Sequence, residues 1–192
     1  MVLPILKYGH PALRQKGARV EKITPPIKQL IGDLLETMYA ASGVGLAAQQ
    51  VGHALQLTVI DVRGIKDRPS TLEINGKPAD VDGFMPLVLL NPSVTPAANP
   101  VAGPEGCLSF PEMYAEIARP ESVHVVGMNE KNERIEFRCD GLLARAVQHE
   151  ADHLHGILFI DRMSNEFKRD LKLQLEQLQE ASKEELRKKA KT

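Results

Sequence analysis

The chain has 192 residues, 43 % hydrophobic and 26 % charged, with 24 Lys+Arg against 25 Asp+Glu for a formal net charge of −1. That length suits one domain with its own core, and the balanced charge excludes a general pull toward nucleic acid or anionic membrane. Aromatics are 4 % and Trp is absent, two cysteines cannot form a disulfide framework, and no apolar run reaches the ~20 residues of a membrane span. The start, Met1–Lys7, lacks the basic opening and long apolar core of a signal peptide. A soluble, cytoplasmic, single-domain protein that binds neither DNA nor membrane is expected.

In chain order, Thr24 is a candidate N-cap with Pro25 at the first helical position. Ile27, Leu30, Ile31, Leu34, Leu35, Met38 and Tyr39 then form one apolar stripe, closed by Ser42-Gly43. Leu55–Val62 and Leu87–Leu90 read as strands. Between them Arg63–Pro86 is polar and punctuated by Gly and Pro, the pattern of a long surface excursion. Pro92–Pro104 holds four prolines and reads as a loop. Ser122–Met128 and Arg134–Cys139 alternate around Asn129–Glu133, a β-hairpin. A second helix, capped by Asp140, should run from Gly141 to Leu154 and stop at Gly156. A third starts near Ser164 with a thin stripe of Phe167, Leu171, Leu175 and Leu178, and from Ala181 the polar chain should fray. Helix, strands, helix, helix is an α+β order, mostly antiparallel, around the second helix.

That second helix carries Gln148-His149-Glu150-Ala151-Asp152-His153, which contains His-Glu-x-x-His. Residues four apart on a helix differ by about 40° in direction, so both imidazoles face one metal ion. Glu150 projects elsewhere, within reach of a water at that metal, and suits a proton-handling role rather than ligation. A catalytic site needs a third protein ligand. His155 points to another side of the helix, and His10, His53 and His124 lack a supporting motif. Cys139 ends an alternating strand and reads as core. Cys107 lies in the glycine-flanked run Pro104-Glu105-Gly106-Cys107-Leu108-Ser109; alone it would read as a buried thiol, but beside a two-His site that lacks a third ligand it is the natural candidate.

Gly43-Val44-Gly45-Leu46-Ala47-Ala48, with Asp61 further on, imitates a dinucleotide fingerprint. The fingerprint needs a strand before and a helix after, and here the order is reversed. These glycines serve another purpose, such as letting backbone lie against a substrate.

Three segments together resemble the peptide deformylases: Gly43-Val44-Gly45-Leu46-Ala47-Ala48-Gln49-Gln50, Glu105-Gly106-Cys107-Leu108-Ser109, and His149-Glu150-Ala151-Asp152-His153-Leu154-His155-Gly156. The resemblance covers about residues 1–170, the expected catalytic domain, and leaves 171–192 as the rest of a terminal helix and a basic tail. Ala151 is small where a larger apolar residue is usual, a change that loosens local packing, and the 63–86 excursion is longer than in compact members.

The resemblance implies removal of the formyl group from the N-terminal formyl-methionine of newly synthesised polypeptides. It implies Cys107, His149 and His153 as metal ligands, Glu150 as the catalytic carboxylate, and Gln50 with the Leu108 backbone N–H as oxyanion donors. Fe(2+) is the implied ion, replaceable by Zn(2+), Ni(2+) or Co(2+); the ligand set alone would suggest zinc. The Gly43–Gly45 and Glu105–Gly106 backbones can pair with an extended peptide. Leu142 and Ala146, with Val44 and Leu108, can line a pocket for the methionine side chain. A monomer is expected, with a basic tail from Ala181 to Thr192 that can touch ribosomal RNA weakly. Two rivals differ in the third ligand. A zincin-type metallopeptidase would take a downstream His or Glu, whereas a purely structural site would need a fourth protein ligand and would leave Glu150 without a purpose.

Overall fold

The computed structural model describes residues 1–189. The first stripe forms α1, Pro25–Ala40, and buries Leu30, Ile31, Leu34 and Met38. Thr24 makes no side-chain cap; its carbonyl accepts from the Lys28 N–H at 3.0 Å. Then come β1 (Gly45–Ala47), a 3₁₀ turn over Ala48–Val51, and β2 (Leu57–Ile60). β2 alternates cleanly: Leu57 and Val59 face α1, while Ile60 faces the other core.

The 63–86 segment stays mostly at the surface, as expected, but it is not irregular. It folds into β3 (Ser70–Ile74), β4 (Lys77–Pro78) and the single helical turn α2 (Val81–Phe84). β3 carries one buried residue, Leu72, too little to show a period, and finds its partner about seventy residues away in β9 (Arg134–Asp140). The proline-rich stretch is also strand. β5 runs from Leu87 to Pro96 and β6 from Pro100 to Cys107. Pro92 falls where the register shifts between Leu90 and Ser93, and β6 is one edge of a two-stranded sheet with β7 (Phe110–Pro120), both positions that tolerate a missing N–H.

β8 (Ser122–Met128) and β9 form the expected hairpin. The large sheet is antiparallel throughout, in the order β1-β2-β5-β8-β9-β3-β4. α3 spans Gly141–Leu154 as expected, but Asp140 does not cap it; its carboxylate accepts from the Thr71 hydroxyl instead. Gly156, at φ +71, ends the turn, and a Cβ there would fall 2.4 Å from the Arg14 carbonyl oxygen.

The chain continues through α4 (Phe159–Arg162), α5 (Asn165–Asp170), capped by the Ser164 hydroxyl, and α6 (Lys172–Lys189). The Phe167, Leu171, Leu175, Leu178 stripe packs on the cluster around Phe110 and Phe159. The expected fraying from Ala181 is not seen up to Lys189: Ser182 is buried against Gly9. Ala190, Lys191 and Thr192 lie outside the described residues.

Three clusters share the apolar burial, one between α1 and the sheet, one between α3 and the sheet, and one between the β6–β7 ribbon and the helices after α3. α3 therefore lies between the large sheet and the ribbon. No helix among the described residues is long and apolar enough to cross a membrane.

Candidate active site

α3 buries eleven of its residues, His149, Glu150 and His153 among them. The two imidazoles, four residues apart, stand 5.0 Å centroid to centroid. Cys107 arrives from the opposite side, at the end of β6, where a register shift between Gly106 and Cys107 redirects the side chain. Its Sγ lies 3.3 Å from His153 Nε2. One donor atom from each of Cys107, His149 and His153 falls within 4.8 Å of the others, so the three fit a single ion.

Glu150 lies beside this group with its Oε2 buried and without a hydrogen-bond partner, an acceptor waiting for a donor. Burial pushes its pKa up to about 7 against the pull of neighbouring His149. The carboxylate fits there because Gly45 has no side chain: a Cβ would stand 2.4 Å from Oε1. Gly43 has the same relation to Leu108, at 2.7 Å from Cδ1. The amide of Gln50 is oriented by its surroundings. Oε1 accepts the Ala47 N–H at 2.9 Å, which leaves Nε2 facing Ser109 Oγ at 3.2 Å and Cys107 Sγ at 3.6 Å.

These side chains open into a cavity of about 480 Å³. Gly43, Val44, Gly45, Gln50, Glu105, Gly106, Cys107, Leu108, Leu142, Ala146, His149 and Glu150 all line it, so the three sequence segments meet at one place. His153 sits behind that wall, fully buried. The other candidates stay apart: His155 is exposed and donates Nδ1–H to Ala151 O, His124 pairs with Glu136, and Cys139 is core, its thiol pushed up to about 12 by burial. Asp61, the acidic end of the imitated fingerprint, is held by Arg63 and Tyr39. Ala151 borders a second cavity of about 420 Å³ behind α3, in keeping with its small side chain.

Comparison with known proteins fits this geometry. The polypeptide deformylase family model matches residues 2–169. The peptide deformylase of Methylacidiphilum infernorum is 44% identical over 178 residues, 93% of each chain, and that of Opitutus terrae 42% over 165, 85% of each. The chain belongs to the polypeptide deformylase family. Among solved structures, the peptide deformylase from Thermus thermophilus is similar at TM-score 0.78 and 35% identity, covering 94% of this chain and 99% of that one. The Synechococcus elongatus enzyme in complex with actinonin gives TM-score 0.73 and 38% identity over 94% and 85%. Deformylases are metal-dependent hydrolases that remove the formyl group from N-formylmethionine on new polypeptides, and the zincin alternative is not favoured.

The deformylase motifs did not expose the charged lattice beneath the site. Glu105 was expected to offer only its backbone, yet its side chain is buried and its Oε2 takes His149 Nδ1 at 3.1 Å. Arg119 reaches the same carboxylate through Nε at 2.6 Å and Nη2 at 3.0 Å, and Arg145 through Nη1 at 2.9 Å. Arg119 also bonds Asp152 at 2.8 Å, and Asp152 takes Arg162 at 2.7 Å. Burial would raise the Glu105 pKa, but hydrogen bonds from His149 and Arg119 reverse this and hold it at about 2. A permanent carboxylate at Nδ1 leaves His149 Nε2 turned to the ion site. Arginines spaced through a ribbon and a helix carry no local motif, which is why the lattice is invisible in the sequence. Asp152, inside the third motif, was the one available hint.

Proposed function

We propose that this chain hydrolyses the formyl amide of N-formylmethionyl polypeptides in the cavity over α3, with Cys107, His149 and His153 holding one divalent ion. The observation that carries the reading is the convergence of those three donors beside the unpartnered Glu150 oxygen. Fe(2+) is the proposed ion, with Zn(2+), Ni(2+) or Co(2+) as substitutes; one thiolate and two imidazoles suit all of them. Such an ion supplies Lewis acidity toward the formyl oxygen and toward a water.

The chain's own groups do the rest. Glu150, with a free oxygen and a pKa of about 7, takes the proton of the attacking water and returns it to the departing amine. Gln50 Nε2, fixed by the Ala47 bond, and the Leu108 backbone N–H donate to the oxygen as it gains charge. Gly43, Val44 and Gly45 on one rim, and Glu105 and Gly106 on the other, offer backbone to an extended peptide. Leu142 and Ala146 floor the pocket for the methionine side chain. Residues 1–170 form the catalytic domain, working as a monomer in the cytoplasm, and the basic end of α6 touches ribosomal phosphate weakly.

Metal analysis of anaerobically purified protein tests the centre. About one ion per chain is expected, with turnover of a formyl-Met peptide but not its acetyl counterpart. Cys107→Ser should lower bound metal or shift its preference, because a hydroxyl is harder and far less acidic than a thiol. Unchanged metal content and preference would remove Cys107 from the ligand set.

A further inference from the structure

Resting on the proposed deformylation of an extended peptide in this cavity, we infer that Arg68 is a specificity-determining residue: its guanidinium receives a carboxylate side chain on the third residue of the formylated substrate. Arg68 comes from the 63–86 segment and lines the rim of the active cavity, half-buried. Its Nη2 donates to the Pro104 carbonyl at 3.1 Å. A guanidinium carries five N–H donors, so that single bond leaves most of its capacity unused. Glu105, Glu112 and Glu150 line the same cavity, and none of them pairs with it among the described residues. The neighbouring Arg145 differs. Its Nη1 is taken by Gly103 O, Glu105 and Ile117 O, and its Nη2 by Val101 O, so both terminal nitrogens are engaged in holding the ribbon.

The position of Arg68 along the substrate follows from strand geometry. β6 pairs with β7 on one side only, so its other edge is open to the cavity. In an antiparallel ladder, backbone groups of residues i and i+2 point to the same side. The Pro104 carbonyl points out to Arg68, so Gly106 also presents its N–H and C=O on the open edge. Pro104 has no N–H to offer and its carbonyl is occupied, so strand pairing along β6 ends at Gly106.

With the formyl group beside Cys107, the methionine lies opposite Gly106 and the third residue opposite Pro104, at roughly 3.3 Å per residue. Side chains one and three share a face of an extended peptide. The methionine enters the floor made by Leu142 and Ala146, and the Arg68 guanidinium, bonded at the Pro104 carbonyl, stands beside the third residue within reach of its side chain. At that partly desolvated rim a charge-assisted pair discriminates between a carboxylate and its neutral amide.

The test compares kcat/KM for C-terminally amidated peptides formyl-Met-Ala-Xaa-Ser with Glu, Gln or Lys as Xaa, at low and high salt, on metal-loaded enzyme. A preference for Glu over Gln of about fivefold is expected at low salt, shrinking at high salt. In Arg68→Gln the Glu-to-Gln ratio should fall to about one. In Arg68→Glu the order should reverse, with the Lys peptide ahead of the Glu peptide. Each ratio is internal to one enzyme, so altered metal loading does not affect it. A wild-type ratio near one, a ratio unchanged in both variants, or the same preference when Glu is moved to the second residue would overturn the assignment. Failure to turn over any formyl peptide would instead overturn the deformylase reading itself.

Discussion

At the residue scale the site depends on atoms that are missing as much as on those present. Gly45 leaves the space that Glu150 occupies, and one oxygen of that carboxylate is buried and unpartnered. In the proposed mechanism Glu150 handles protons and is not a ligand, so Glu150→Gln should keep the metal while turnover of a formyl-Met peptide falls by about 10⁴-fold. Near-normal turnover, or loss of metal, would contradict that role. Gln49 presents the opposite case. Both atoms of its amide are buried without a partner, and Nε2 lies beneath Gly17, 2.8 Å from where a Cβ would be. An orphaned buried amide is a cost that an apolar side chain of similar shape avoids. Gln49→Met should therefore raise the unfolding free energy by about 1 kcal/mol. A denaturant titration showing equal or lower stability would mean the amide is satisfied in solution. The resemblance singled out Gln50 and gave Gln49 no role; the structure adds that Gln50 faces Cys107 while the Gln49 amide is buried without a partner.

At the element scale, regular periods were legible and short non-local strands were not. α1, α3 and the β8–β9 hairpin are long enough for their apolar spacing to appear over several turns or alternations. β3 is not: its one buried residue, Leu72, is placed by register against Cys139 on β9. That contact joins the 63–86 segment to the core beneath α3, alongside Phe137 and Leu143. Leu72→Ala should cost about 2–3 kcal/mol and lower Tm by about 5–10 °C. Turnover per bound ion at room temperature should stay close to wild type, since Leu72 touches none of the donors. A thermal melt that does not move would mean the segment is not anchored as described. The prolines of β6 misled for a related reason. Each prohibits a donor on one side of a strand, and an edge strand has a side that needs none.

At the scale of the whole molecule, the two ends of the chain meet next to the site. The N-terminal segment lies across it, with Leu6 N–H on Gln50 O at 2.8 Å, Tyr8 N–H on Ser109 O at 3.0 Å, and Lys7 Nζ on Leu108 O at 2.7 Å. α6 then closes over Gly9, whose φ of +104 and lack of a Cβ allow Gln179 and Ser182 to approach. Deleting residues 181–192 should lower Tm by a few degrees through loss of the Ser182 contact, yet leave turnover of a short formyl-Met peptide unchanged. It should also weaken low-salt co-sedimentation with ribosomes. Equal sedimentation of truncated and full-length protein would remove that role from the tail. The sequence by itself determined the helix that carries His149, Glu150 and His153 and the family, because these are motifs along one chain, and it marked Cys107 as the candidate third ligand. Tertiary structure alone decided what surrounds them: Glu105 behind His149, Arg119 and Arg162 on Asp152, and Arg68 at the rim. Those contacts join residues 10 to 44 positions apart, three of them through buried or part-buried charge and the fourth through the Pro104 carbonyl, and no local pattern encodes which distant group a given arginine will meet.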